Sequence, residues 1–166
     1  MLKYVDTFVG LREVPDEITL CINLSLCPNH CKGCHTSYLS EDIGEELTFE
    51  RLQKLIKQNE GITCCALMGG NNDPNAVWRL GLLLESHYPN LKSAWYSGEQ
   101  NMPDLEPELF FRGIPFDYLK LGSYIAEKGP LDNPTTNQQM WKIDKNTGKA
   151  ENITYKFWKN ESKSSK

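Results

Sequence analysis

Three of the chain's six cysteines, Cys27, Cys31 and Cys34, fall in the stretch LCPNHCKGCH at the spacing C-x3-C-x2-C. Disulfide frameworks belong to small secreted chains, whereas thiolates clustered in a reducing compartment bind metal. Two arrangements compete for the fourth position that three thiolates leave open. In the first, the loop wraps three corners of a cubane iron–sulfur cluster and one iron stays accessible to an external ligand. In the second, His30 or His35 completes a structural Cys3His zinc site. Structural zinc sites usually bring two ligand pairs separated by a longer stretch. No second pair follows here, because Cys64 and Cys65 are adjacent within an expected strand and point to opposite faces. Ligand count and spacing favour the cluster.

The elements that must position this loop are legible from periodicity. Before it, Ile18, Leu20, Ile22, Leu24 and Leu26 alternate with Thr19, Cys21, Asn23 and Ser25, a period of two that predicts a strand with one apolar and one small polar face. Thr48 is placed to cap a helix carrying Phe49, Leu52, Leu55 and Ile56 on one side. Ile62 to Met68 reads as a second strand, and Asp73 followed by Pro74 opens a second helix running through DPNAVWRLGLLLESHY. LKSAWYS is a third strand, PELFFR a short helix or turn, and Phe116 to Gly122 a fourth strand. Strands alternating with helices predict an α/β fold on a parallel sheet. The final MWKI and ITYKFW, flanking a turn-rich DKNTGKAEN, predict an appended C-terminal β-hairpin. The cysteine loop, Gly69-Gly70, Ser97-Gly98 and Gly122-Ser123 then each follow a strand, at the carboxyl ends where parallel α/β folds bind ligands.

Length and charge narrow the class. With 166 residues, 39% hydrophobic and 24% charged, the chain suits one ordinary domain, taken as residues 1–158 with a flexible polar tail at 159–166. A net charge of −4 with scattered lysines argues against nucleic acid or an anionic membrane as partner. No apolar run is long enough for a spanning helix, and the N-terminal MLKYVDTFVGLREVPDE has no apolar block of the signal-peptide type, so a cytoplasmic location is expected.

Cys27-x3-Cys31-x2-Cys34 after a first strand resembles the loop of the radical S-adenosylmethionine (SAM) enzymes. Within that superfamily, residues 1 to 143 resemble the activating protein of the anaerobic (class III) ribonucleoside-triphosphate reductase. Gly33 stands before the last cysteine as in that subfamily, and MGGNNDP, WYSG, FDYLKLGSY and TTNQQMW resemble its later blocks in order. The resemblance implies a partial (β/α) barrel of the radical SAM type with about four parallel strands. It implies a [4Fe–4S] cluster on Cys27, Cys31 and Cys34, with the amine and carboxylate of SAM on the open iron. Gly69, Gly70 and the following Asn71, Asn72 and Asp73 would lie against SAM, and His35 would stand near the adenine or the cluster sulfur. The implied reaction is reductive cleavage of SAM and generation of a glycyl radical on the anaerobic reductase, with a flavodoxin- or ferredoxin-like electron donor.

The chain also departs from the family pattern. Asn71 and Asn72 separate Gly70 from the first acid, and the sequence alone favours Asp73 as a helix cap. GPLDNPTTNQQ lacks the usual basic residues. Two other readings stay open: a radical SAM enzyme with a different protein or small-molecule substrate, and a small zinc or electron-transfer protein without a reaction of its own. Asn23, Ser25 and Asp117 either line a cavity or satisfy nearby backbone. Cys21, Cys64, Cys65, Trp78 and Trp95 read as core.

Overall fold

A computed structural model describes residues 1–158, and the polar tail expected at 159–166 lies outside the described residues. Eight strands form one sheet: β1 (Lys3–Gly10), β2 (Thr19–Leu24), β3 (Glu45–Glu46), β4 (Cys64–Met68), β5 (Lys92–Tyr96), β6 (Tyr118–Leu121), β7 (Gln139–Ile143) and β8 (Ala150–Asn152). Their order is β3-β1-β2-β4-β5-β6-β7-β8. The four central strands β2, β4, β5 and β6 are parallel, as the βα alternation predicts, and both flanks are antiparallel. The sheet is therefore mixed and open, with β3 and β8 at its two ends.

The two long helices begin where their caps direct. In α1 (Phe49–Gln58), the Thr48 hydroxyl accepts the Arg51 amide at 3.2 Å. In α2 (Pro74–His87), an Asp73 carboxylate oxygen accepts the Ala76 amide at 3.1 Å, and Pro74 opens the first turn, where its missing N–H costs nothing. A four-residue helix, α3 (Pro107–Phe110), lies between β5 and β6.

Alternation along the strands divides the core in two. Leu20, Ile22, Leu24, Cys65, Leu67, Trp95 and Leu119 face Leu52 and Leu55 of α1 and Val77, Trp78, Leu80 and Leu84 of α2. The opposite face carries Cys21, Cys64, Ala66, Ala94, Tyr118 and Met140, topped by Val14, Ile153 and the partly buried Phe157, with no α-helix against it among the described residues. On the helix side, Trp78 meets Trp95 and Phe116 edge-on, with ring centroids 6.1 and 5.8 Å apart. Such pairs add about 0.5–1.5 kcal/mol each beyond the area they bury. Gly81 of α2 rests on this cluster, and a Cβ there would stand 2.6 Å from Phe116 Cζ.

Two expectations need correction. The second strand of the C-terminal hairpin is Ala150–Asn152, inside the segment read as turn, whereas Thr154–Phe157 of ITYKFW forms a 3-10 turn. The physical reason is burial: Ile153 is 1% exposed beneath the small-residue face, and Asn152 Oδ1 accepts both the amide and the hydroxyl of Thr154, which reverses the chain. The N-terminal segment, read only for targeting, is the strand β1, paired antiparallel with β2. No helix among the described residues is long and apolar enough to cross a membrane.

Replacing Gly81 with Val drives a branched side chain into Phe116 and Pro115. A loss of about 1–3 kcal/mol is expected from overpacking, outweighing the roughly 0.5 kcal/mol that removing a helical glycine returns. Urea denaturation followed by circular dichroism checks this, and an unchanged or raised midpoint would refute the packing described.

Candidate functional site

The cysteine loop leaves the carboxyl end of β2 through a strained stretch. Leu26 and His30 both have positive φ, 61° and 43°, a region that non-glycine residues avoid unless their surroundings impose it. The imposing contacts are backbone bonds from Leu26 N to Glu41 O at 3.3 Å and from Cys27 N to Leu39 O at 2.9 Å. Cys27, Cys31 and Cys34 follow as free, half-buried thiols, with Cys34 Sγ 3.5 Å from Thr36 Oγ1. His30 and His35 are exposed.

The turns after the parallel strands converge on this loop. Asn29 packs its amide against Gly98 after β5, closely enough that any side chain at 98 would displace it. Gly33 faces Tyr124 after β6, and the His35 and Tyr124 rings lie 6.2 Å apart. The turns after β4 and β5 are tied together, since Asn71 Nδ2 donates to Ser97 Oγ at 2.8 Å and its Oδ1 accepts the Gly98 amide at 2.9 Å. The structure thus brings together all four carboxyl-end segments singled out in the sequence.

Gly69 and Gly70 follow β4 with φ of 106° and 89°, conformations that require glycine. The Gly69 carbonyl accepts Trp95 Nε1 at 2.7 Å, and the Gly70 carbonyl accepts the Asp73 amide at 3.0 Å. Asp73 caps α2 and pairs with the amino group of Met1 at 2.5 Å. Burial pushes its carboxyl upward, but the hydrogen bonds from Met1 and Ala76 outweigh this and hold it below the usual range. Asn71 is likewise occupied as a brace. Asn72 is exposed and is the residue of this segment whose side chain has no partner among the described residues.

The residue that sequence reasoning passed over is Lys120. It sits on β6 on the small-residue face, 9% exposed, donating to the Gly122 carbonyl at 2.6 Å and standing 6.0 Å from the Tyr96 ring centroid. Burial pushes its pKa down to about 8, against the opposing pull of the Cys31, Cys34 and Cys27 thiolates. The available signal was a lysine at an inward position of a strand otherwise apolar, YLKL.

Other candidates resolve into structural roles. Asn23 Nδ2 donates to Asp6 Oδ1 at 2.6 Å, and Ser25 Oγ to the Ile43 carbonyl at 2.6 Å. Asp117 lies at the amino end of β6, away from the cysteine loop, accepting the Ser93 amide and pairing with Lys92 and Lys145. Cys21 and Cys65 are buried, which pushes their thiols up to about 12, far from a reactive range.

Among the described residues, no three His, Cys, Asp or Glu side chains are gathered in ion-binding geometry, so the loop places its thiols without closing them on a point. The donor set still suits a cluster held by three thiolates. It is soft and it lies on one loop. The loop also holds a buried donor without a partner, Asn29 Nδ2. A cavity of about 980 Å³ is lined by Leu11, Arg12, Tyr96, Leu131, Lys156 and Phe157 among others. Tyr96 thus borders both the cavity and Lys120. Compared with protein-family models, curated proteins and solved structures, the chain matches none of them.

Lys120 yields a pH prediction for the metal-free protein. Its folded pKa lies below the unfolded one, so the unfolded state holds the proton through the window from about pH 10 down to about pH 8. Stability therefore falls as pH drops through that window. Lys120→Met removes this dependence and raises stability at pH 7 by about 1–3 kcal/mol. Denaturant midpoints at pH 7 and pH 10 check it, and equal pH slopes for wild type and variant would count against a buried ammonium.

Proposed function

We propose that the chain is a radical SAM activase, with its parallel strands forming a partial (β/α) barrel of that type. Cys27, Cys31 and Cys34 would hold a [4Fe–4S] cluster. When bound, that cluster supplies one-electron reductive cleavage of SAM and so hydrogen abstraction from a substrate carbon. The observation that supports the reading is the convergence of a loop carrying three half-buried thiols with the Gly69-Gly70, Ser97-Gly98 and Gly122–Tyr124 turns at the carboxyl end of four parallel strands.

The chain's own residues supply positioning and electrostatics. Lys120 offsets the negative charge of a thiolate-ligated cluster and can also receive a carboxylate, at a depth where water competes poorly. The Asn71 brace fixes the Gly69-Gly70 turn against the Ser97-Gly98 turn, so both present backbone rather than side chain to a ligand. With Asp73 and Asn71 engaged, an ammonium group arriving here would meet backbone carbonyls or the Asn72 amide, without a free carboxylate.

The cavity beside Tyr96 opens to solvent and is bounded in part by loops, which suits a segment of another protein better than an enclosed metabolite. The substrate favoured is a glycine-bearing loop of an anaerobic ribonucleoside-triphosphate reductase, with a small flavodoxin- or ferredoxin-like donor of electrons. The reading carries with it a reducing, cytoplasmic setting in which thiols stay available.

Anaerobic reconstitution with iron and sulfide, followed by reductant and SAM, should yield a brown protein that forms 5′-deoxyadenosine and methionine in equal amounts. Cys27→Ala, Cys31→Ala or Cys34→Ala should each reduce product at least about a hundredfold through loss of a cluster ligand. Stoichiometric zinc without iron, or full SAM cleavage by any of the three variants, would refute the assignment.

A further inference from the structure

Among the described residues, three buried polar side-chain atoms lack a hydrogen-bond partner: Thr19 Oγ1, Asn137 Oδ1 and Asn29 Nδ2. Thr19 opens β2, at the strand end opposite the cysteine loop and beside the Cys64 thiol. Asn137 is held through its nitrogen, which donates to Ser123 O at 3.0 Å and Gln100 Oε1 at 3.4 Å, so only an acceptor is idle. Asn29 differs from both. Its idle atom is a donor, and it lies in the cysteine loop between Cys27 and Cys31. A buried donor left unpaired is costly, and such a group in a folded protein calls for a reason.

Gly98 shows how that amide is seated. Its φ is not positive, so backbone conformation does not demand glycine there. The demand comes from Asn29, because a Cβ at position 98 would overlap Nδ2 and stand 3.0 Å from Cγ. The Gly98 amide already serves Asn71 Oδ1 at 2.9 Å, so exchanging the oxygen and nitrogen of the Asn29 amide would find no free donor on that glycine. Asn71 is tied in turn to Ser97 Oγ at 2.8 Å, which makes the turn after β5 a firm seat. The Asn29 amide is thus fixed by shape against Gly98, while its N–H groups find no acceptor among the described residues.

A group held by the three thiolates supplies acceptors of the kind this donor lacks. Cysteinyl sulfur and inorganic sulfide both carry negative charge, and an N–H donor bonds to a charged acceptor more strongly than to a neutral one. No free thiol of the chain is paired with Nδ2, so the acceptor belongs to the assembled group and not to a single cysteine. Hydrogen bonds to the sulfurs are among the terms that set the potential of an iron–sulfur cluster. They favour the reduced form, which carries the greater negative charge, and so move the potential upward.

We infer that the Asn29 side-chain amide, seated on Gly98, donates a hydrogen bond to sulfur of the iron–sulfur group on Cys27, Cys31 and Cys34 and raises its reduction potential. The assignment rests on the cluster reading proposed above and gives Asn29 a tuning role that acts through the cluster. It also gives a reason for glycine at position 98, where the backbone imposes none.

The test uses the whole chain, reconstituted anaerobically with iron and sulfide and kept free of SAM. A dithionite titration is followed by the electron paramagnetic resonance of the reduced cluster. Asn29→Leu keeps a side chain of similar size against Gly98 and removes the donor. It should hold as much iron as wild type and shift the ratio of oxidised to reduced cluster about tenfold at a given potential, a midpoint about 59 mV more negative for one electron. Gly98→Ala leaves the amide in the chain but unseats it, and should lower the midpoint in the same direction. The double variant should lower it no further than Asn29→Leu alone, because both changes remove one bond. A fully loaded Asn29→Leu protein with the wild-type midpoint overturns the assignment and leaves the cluster reading standing. Should that variant load poorly, a loaded Gly98→Ala protein with the wild-type midpoint overturns it equally. A wild type that takes up no iron refutes the cluster reading, and this assignment with it.

Discussion

Parallel pairing of β2, β4, β5 and β6 is the constraint on which the rest of the structure depends. Parallel strands must all leave the sheet at the same end, so the four segments that follow them meet there whatever their sequences. The cysteine loop, the double glycine, the Ser97-Gly98 turn and the Gly122–Tyr124 turn are brought together by that rule. Were β4 antiparallel to β2, Gly69 and Gly70 would lie a strand's length from Cys27.

The second organising feature is the unequal filling of the two sheet faces. Bulky side chains on one face satisfy α1 and α2, with the Trp78, Trp95 and Phe116 cluster at its centre. The other face is lined by the small residues Cys21, Cys64, Ala66 and Ala94. On that face β6 places Lys120. A buried ammonium costs folding free energy, because burial disfavours its charged form.

Several residues that looked chemical serve structure, and the reason is proximity the sequence does not display. Asp73 is drawn into a cap and an ion pair because Met1 lies beside the start of α2, seventy-two residues distant along the chain. Asn71 is consumed by Ser97 and Gly98 because β4 and β5 are neighbours in the sheet. Asp117 is drawn to the opposite end of the molecule by its place at the start of β6. In each case a polar side chain near a candidate site found a partner through tertiary contact, which short-range pattern could not foresee.

What the sequence determined by itself was local in kind. Alternation at Thr19–Leu24, the caps at Thr48 and Asp73, the C-x3-C-x2-C spacing and the strand-then-turn rhythm all follow from the periods of the backbone and from side chains bonding neighbours a few residues away. Tertiary structure decided what depends on distant partners. It turned ITYKFW from an expected strand into a 3-10 turn at Thr154–Phe157 anchored by buried Ile153 and Thr154, made a strand of Lys3–Gly10 by laying it against β2, and buried Lys120 within β6. Burial, edge status and charge environment are properties of the assembled sheet, and no window of the chain contains them.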